Sequence, residues 1–111
     1  MNKKILVYVS APYSQGDVAL NIRRVIEMAD KLLAAGYIPL VPHLTALWDL
    51  ISPKSRNIWM EIDKVYLSKC DAVLRLDGPS IGANLEIRYA GKLGKPVYYS
   101  LEELKGEKCE K

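Results

Sequence analysis

No apolar run in this chain approaches the roughly 20 residues of a membrane-spanning helix, so no transmembrane segment is expected. The opening "MNKKILVYVS" starts like the basic end of a signal sequence, but its apolar stretch is too short and no cleavage site follows. Histidine occurs once, at His43, and cysteine twice, at Cys70 and Cys109, without metal or redox spacing. No metal centre or cofactor is therefore expected, and both thiols read as reduced cytosolic cysteines, Cys70 packing beside a strand. The net charge of +3 is small, and much of the lysine lies near the two ends. No basic stripe with interleaved aromatics is present, so a nucleic-acid polymer is not an expected partner. Repeats, low-complexity segments and linkers are also missing. What remains is a soluble cytoplasmic protein with one domain over residues 1–111, large enough for a real core.

What is present alternates between strand and helix. "KILVYVS" (4–10) is β-rich and apolar on both faces, as a central parallel strand requires. "APYSQGD" (11–17) is a loop whose Asp17 can cap the helix that follows. From Val18 the apolar residues recur at helical spacing until Gly36, a favoured helix terminator. "YIPLV" (37–41) reads as a second strand, and Pro39 puts it at a sheet edge. Residues 42–54 form a long connection, which in a compact domain tends to be functional. A helix over about 55–69, strand 71–76, helix 79–93, strand 96–100 and a short terminal helix complete the pattern.

This alternation predicts an α/β fold, a single three-layer flavodoxin/Rossmann-like domain with a four- to five-stranded parallel sheet of order 2-1-3-4. In such sheets ligands bind beyond the carboxyl ends of the strands, where the strand order reverses. The loops leaving strands one and three, "APYSQGD" and "DGPSIGAN", would face each other there. Directly behind the second loop stands Glu86. Its neighbours at helical spacing are Gly82, Ala83, Tyr89 and Ala90, so the usual i,i+4 partner of a surface glutamate is missing. A carboxylate on a small, apolar stripe beside a crevice suits a nucleophile in glycosyl transfer, with Gly82 and its small neighbours leaving room for a sugar. The alternative is a solvent-facing helix glutamate.

Three stretches, "VYVSAPYS", "NIRRVIEMADKLLAAGYIPLVPH" and "DKVYLSKCDAVLRLDGPSIGANLEIRYAGKLGKPV", together resemble the nucleoside 2-deoxyribosyltransferase superfamily, including its nucleoside-monophosphate N-glycosidases. The sharpest part is "SIGANLEIRYAGKLGKPV". The resemblance implies that Glu86 attacks the anomeric carbon and forms a glycosyl-enzyme. It puts Asp63 at the family's aspartate near the nucleobase, with a spacing to Glu86 one residue shorter, a gap assigned to the turn at "DGPS". A carboxyl in a partly apolar site could protonate the departing base, although Asp63 also suits the polar side of an amphipathic helix.

At Ser80 the transferases of this superfamily carry an aspartate that grips a free 5′-hydroxyl, and the monophosphate hydrolases carry a serine. A serine at a helix N-terminus invites phosphate, and Ser80 also suits a simple N-cap. The opposing loop, from Ser14 through Gly16 to Asp17, can add backbone donors but has no arginine. Tyr13, His43 and Trp59, with Trp48, could wall a base by stacking; for the tryptophans core packing is the alternative, and His43 could simply close a loop. Asp77 reads as turn chemistry, Asn84 and Arg88 as surface or subunit contacts. The implied function is an N-glycosidase on a nucleoside 5′-monophosphate. Base exchange between deoxynucleosides and a catalytically silent nucleotide-binding module are the alternatives. The resemblance also implies a homodimer or larger even homo-oligomer.

Overall fold

The protein is described here by a computed structural model covering residues 4–109; of the side chains of 107–109, including Cys109, nothing is described. The central strand β1 spans Leu6–Ser10 and is almost wholly buried. Helix α1, Val18–Ala34, follows after a loop and starts where the Asp17 carboxylate accepts the Leu20 N–H at 3.1 Å. Asp17 is thus occupied as a helix cap. Gly36, at φ 95°, takes the left-handed turn that releases the chain into β2, Ile38–Leu40.

Residues 42–54 are not a plain connection. They fold into a 3₁₀ turn, Pro42–Thr45, and a short helix α2, Ala46–Ile51, which ends before Ser52–Pro53 because the residue before proline disfavours helical backbone. Helix α3 is Arg56–Ser68, β3 Ala72–Arg75, α4 Ile81–Lys92, β4 Val97–Tyr98 and α5 Leu101–Cys109. Serines begin all three of these helices, the Ser100 Oγ before α5 accepting the Glu103 N–H at 3.1 Å. The Ser55 Oγ accepts the Ile58 N–H at 3.3 Å, and the Ser80 Oγ accepts the Ala83 N–H at 3.0 Å.

The four strands form one parallel sheet in the order β2-β1-β3-β4. Pro39, which lacks an N–H, sits in edge strand β2, where only one side needs pairing. Side chains alternate across β1. Val7 and Val9 join Val25 and Leu32 of α1 and Leu104 of α5 in one core cluster. Tyr8 joins Leu67, Cys70, Val73 and Ala90 in another, against α3 and α4. Helices therefore cover both faces, and each fully buried Val or Leu contributes about 1.5–3 kcal/mol. Cys70 is a buried free thiol in the second cluster. Among the described residues no helix is long and apolar enough to cross a membrane.

Register decides what the α3–α4 face carries at its carboxyl end. Tyr8 pairs with Val73 and Ser10 with Arg75, so three polar side chains end the two central strands on one face. That face lies under Glu86.

Candidate active site

A cavity of about 620 Å³ opens between the β1 loop, the 42–54 segment, α3 and α4. Its size falls within the roughly 300–1,000 Å³ usual for small-molecule sites. Glu86, Asp63, Tyr13, Ser14, His43, Trp59, Ser80 and Gly82 all line it. Gly16 does not: at φ 82° it serves the turn ahead of α1, outside the lining.

Glu86 has partners, and they come from the sheet. The Tyr8 hydroxyl donates to Oε2 at 2.7 Å, and the Ser10 hydroxyl donates to Oε1 at 2.7 Å. Both donors are fully buried, so the carboxylate is held at two points by groups with no freedom to move away. Burial raises the Glu86 carboxyl above the ordinary range, while the two hydroxyls and the nearby Arg75 charge pull it down. Burial, with the Glu86 charge next, pushes the Tyr8 phenol far above its usual value, so it stays a proton donor. Arg75 is itself spent on structure: it donates to the carbonyls of Leu76 and Gly78 and to Asn84 Oδ1, which tightens the turn before Ser80. Asn84 is thereby a structural partner.

Asp63 faces the same space from α3. Its Oδ1 is buried and accepts no hydrogen bond among the described residues. Burial, and then the Glu86 charge, raise this carboxyl to about 7. Two acids of unequal environment thus share one cavity, one clamped by hydroxyls and the other left bare. Such a division separates a carboxylate that attacks from a carboxylic acid that donates. Because they interact, their two titrations belong to the pair.

The walls are built from the loops. Asn21 of α1 donates to the carbonyls of Tyr13 at 2.9 Å and Gln15 at 2.8 Å, pinning the β1 loop at the cavity mouth. His43 is buried, its Nε2–H donates to the Pro12 carbonyl at 2.8 Å, and Tyr13 meets its ring edge-on at 5.2 Å. Desolvation lowers the His43 pKa, which favours the neutral donor. His43 thus fastens a loop as well as lining the cavity. Neither tryptophan belongs to the core clusters: Trp48 and Trp59 meet edge to face at 5.0 Å, with Trp48 exposed. The Trp59 Nε1–H donates to Asp49 Oδ1 at 2.6 Å, which fixes the indole against the cavity. Backbone and indole N–H groups, from Lys54 and then Trp59, keep the Asp49 carboxyl low.

Asp77 pairs with Arg24 at 2.7 Å, and Arg24 also reaches the Asp77 carbonyl. This ties the loop before α4 to α1. Sequence reasoning did not single out Tyr8, Ser10 or Asn21. The alternation of Tyr8 and Ser10 on one side of an otherwise apolar strand was the available signal. Among the described residues no group of three or more His, Cys, Asp or Glu is placed to hold a metal ion.

The fold is that of a solved nucleoside-processing enzyme. The chain is similar to the 2-deoxyribosyltransferase from the psychrotolerant bacterium Bacillus psychrosaccharolyticus, with a TM-score of 0.64 and 18% identity, over 83% of this chain and 69% of that one. At that identity the likeness bears on the fold alone. The chain belongs to the family described as Domain of unknown function (DUF7768), which matches residues 5–100. None of the curated proteins compared with it matches.

Proposed function

We propose that this protein is a member of the nucleoside 2-deoxyribosyltransferase superfamily that acts as an N-glycosidase, cleaving the base from a nucleoside 5′-monophosphate. The observation that carries the reading is the pair of acids in one cavity: Glu86, gripped by Tyr8 and Ser10, and Asp63, bare and raised to about 7. In the first step a Glu86 oxygen attacks the anomeric carbon as the bond to the base nitrogen breaks. The neutral Asp63 carboxyl gives its proton to the departing base, and a glycosyl ester on Glu86 remains. In the second step the Asp63 carboxylate takes a proton from water, whose oxygen attacks the anomeric carbon. The ester bond breaks, Glu86 leaves as carboxylate, and Asp63 is again protonated.

Each residue has a matching task. The Tyr8 and Ser10 hydroxyls favour the ionised form of Glu86, against the effect of burial, and aim it. Trp59 and Tyr13 offer aromatic faces to the base. The Ser80 end of the cavity receives the 5′-phosphate. A second reading is base exchange, in which an incoming nucleobase replaces water in the second step. The likeness in fold to a 2-deoxyribosyltransferase favours it. Incubation with a panel of ribo- and deoxyribonucleotides and free nucleosides, followed by chromatography, tests both readings. Free base released from 5′-monophosphates supports the hydrolase; a preference for unphosphorylated nucleosides, with new nucleoside formed when a second base is added, supports exchange; no product from any substrate removes both.

A further inference from the structure

Two cations of the cavity stand together at one place, and the reaction above leaves them unused. Lys54 and Arg56 flank Ser55, the residue that caps α3, and both line the cavity. Arg56 is exposed and makes no ion pair among the described residues. Lys54 Nζ lies 3.2 Å from Ser52 Oγ and 5.4 Å from the centre of the Trp48 ring. Its nearby acid, Asp49, also lines the cavity, takes the backbone N–H of Lys54 and the indole N–H of Trp59 on Oδ1, and feels the Lys54 charge.

Helix geometry gives the height of these cations in the fold. In parallel crossovers the helices run opposite to the strands and start at the edge where the strands end, so α3 and α4 are parallel neighbours. Asp63 and Glu86 face each other closely enough to interact. Arg56 lies seven residues before Asp63, and Ser80 six before Glu86. At about 1.5 Å per residue both lie roughly 10 Å nearer the strand-end rim than the two acids. Arg56 and Ser80 thus line one cavity from the starts of two neighbouring helices, each about two turns before the acid its helix carries.

We propose that Arg56, supported by Lys54, is the cationic half of a clamp for an anionic group of the substrate, a phosphate monoester, with the Ser80 hydroxyl at the start of the neighbouring helix. The proposal rests on the reading above for the phosphate being part of a glycosyl substrate. It supplies, from the start of α3, the base that loop 14–17 lacks. It also gives orientation: the anion is drawn to the rim, away from Glu86 and Asp63, while the anomeric carbon points down to them. Arginine suits this task because its planar fork can give two parallel hydrogen bonds to one phosphate, and Lys54 adds a point charge.

The test is calorimetric titration with ribose 5-phosphate and with ribose, using wild type, Arg56→Gln and the Arg56→Gln/Lys54→Gln pair, with base release from 5′-monophosphates assayed alongside. Melting temperatures are expected to stay unchanged, since Arg56 is exposed and Lys54 lies outside the core. Wild type should bind the phosphorylated sugar at least tenfold tighter, weakening as salt is added. Arg56→Gln should remove most of that preference and the pair all of it, and Arg56→Lys should restore only part. An unchanged phosphate preference in Arg56→Gln, equal binding of the two sugars, or no binding of either overturns the clamp. Phosphate preference through Arg56 without any base release keeps the clamp and removes the N-glycosidase. Base release with an unaltered KM in Arg56→Gln does the reverse.

Discussion

Replacing Asp63 with asparagine should make the protein inactive and, at alkaline pH, more stable. The wild-type carboxyl goes from 3.8 to about 7 on folding, through burial first and the Glu86 charge second. A difference of about three pH units is worth roughly 4 kcal/mol at 1.36 kcal/mol per unit. Asp63 is only partly buried, so solvent screening reduces this to about 2 kcal/mol. The sign follows from linkage. The folded-state value lies above the unfolded one, so the contribution is fully present below about pH 3.8 and is lost as pH rises through about 7. Asparagine keeps the shape and titrates with nothing. Urea unfolding of both proteins between about pH 4 and pH 8 measures the effect, with equal m-values as the check that the unfolded states match. The expected result is near-equal stability at the acid end and an advantage of about 2 kcal/mol for Asp63→Asn at the alkaline end. A difference that does not change with pH, or a variant less stable at pH 8, refutes the reasoning.

Two further substitutions address the other contacts. Tyr8→Phe keeps the packed ring and deletes the donor on Glu86 Oε2, a bond of the charged kind worth about 1.5–3 kcal/mol. Glu86 then titrates higher, and the acid limb of the kcat/KM profile should move up by about one pH unit or more; an unmoved limb contradicts the clamp on the carboxylate. Ser80→Asp retains a good helix cap, so stability should change by only a few tenths of a kcal/mol. The same change sets a negative charge at the proposed phosphate end. It should abolish turnover of 5′-monophosphates and spare any turnover of free nucleosides, read by chromatography of both substrate classes.

The layered architecture was legible because it rests on local signals. Period-3.6 apolar stripes, the Asp17 and Ser80 caps, the glycine after α1 and the proline of β2 each act within a few residues and give the alternating elements. The order 2-1-3-4, expected as the common one for such alternation, is the order the sheet has. Glu86 stood out for a similar reason, having no partner on its own helix, whereas Asp63 was reached only through the family resemblance. The actual partners of Glu86 lie 76 and 78 residues away in β1, a contact that only sheet register creates. Reading β1 as apolar on both faces hid the polar pair Tyr8 and Ser10. The helix α2 was also missed, since residues 42–54 carry a proline near each end and too few turns to show a period. Lys54 and Arg56 carry no motif that singles them out in the sequence. Only the parallel packing of α3 on α4 turns them toward the cavity.

The central claim is covalent: the sugar is transferred to Glu86. Intact-mass spectrometry after exposure to a 2-fluoro-sugar nucleotide, followed by peptide mapping, tests it most directly. Fluorine slows both steps, and a good leaving group lets the first outrun the second, so the glycosyl-enzyme accumulates. The expected result is a mass increase of one fluorosugar phosphate on the peptide containing Glu86, absent in Glu86→Gln. An adduct on another residue, or base release by Glu86→Gln at the wild-type rate, contradicts the assignment.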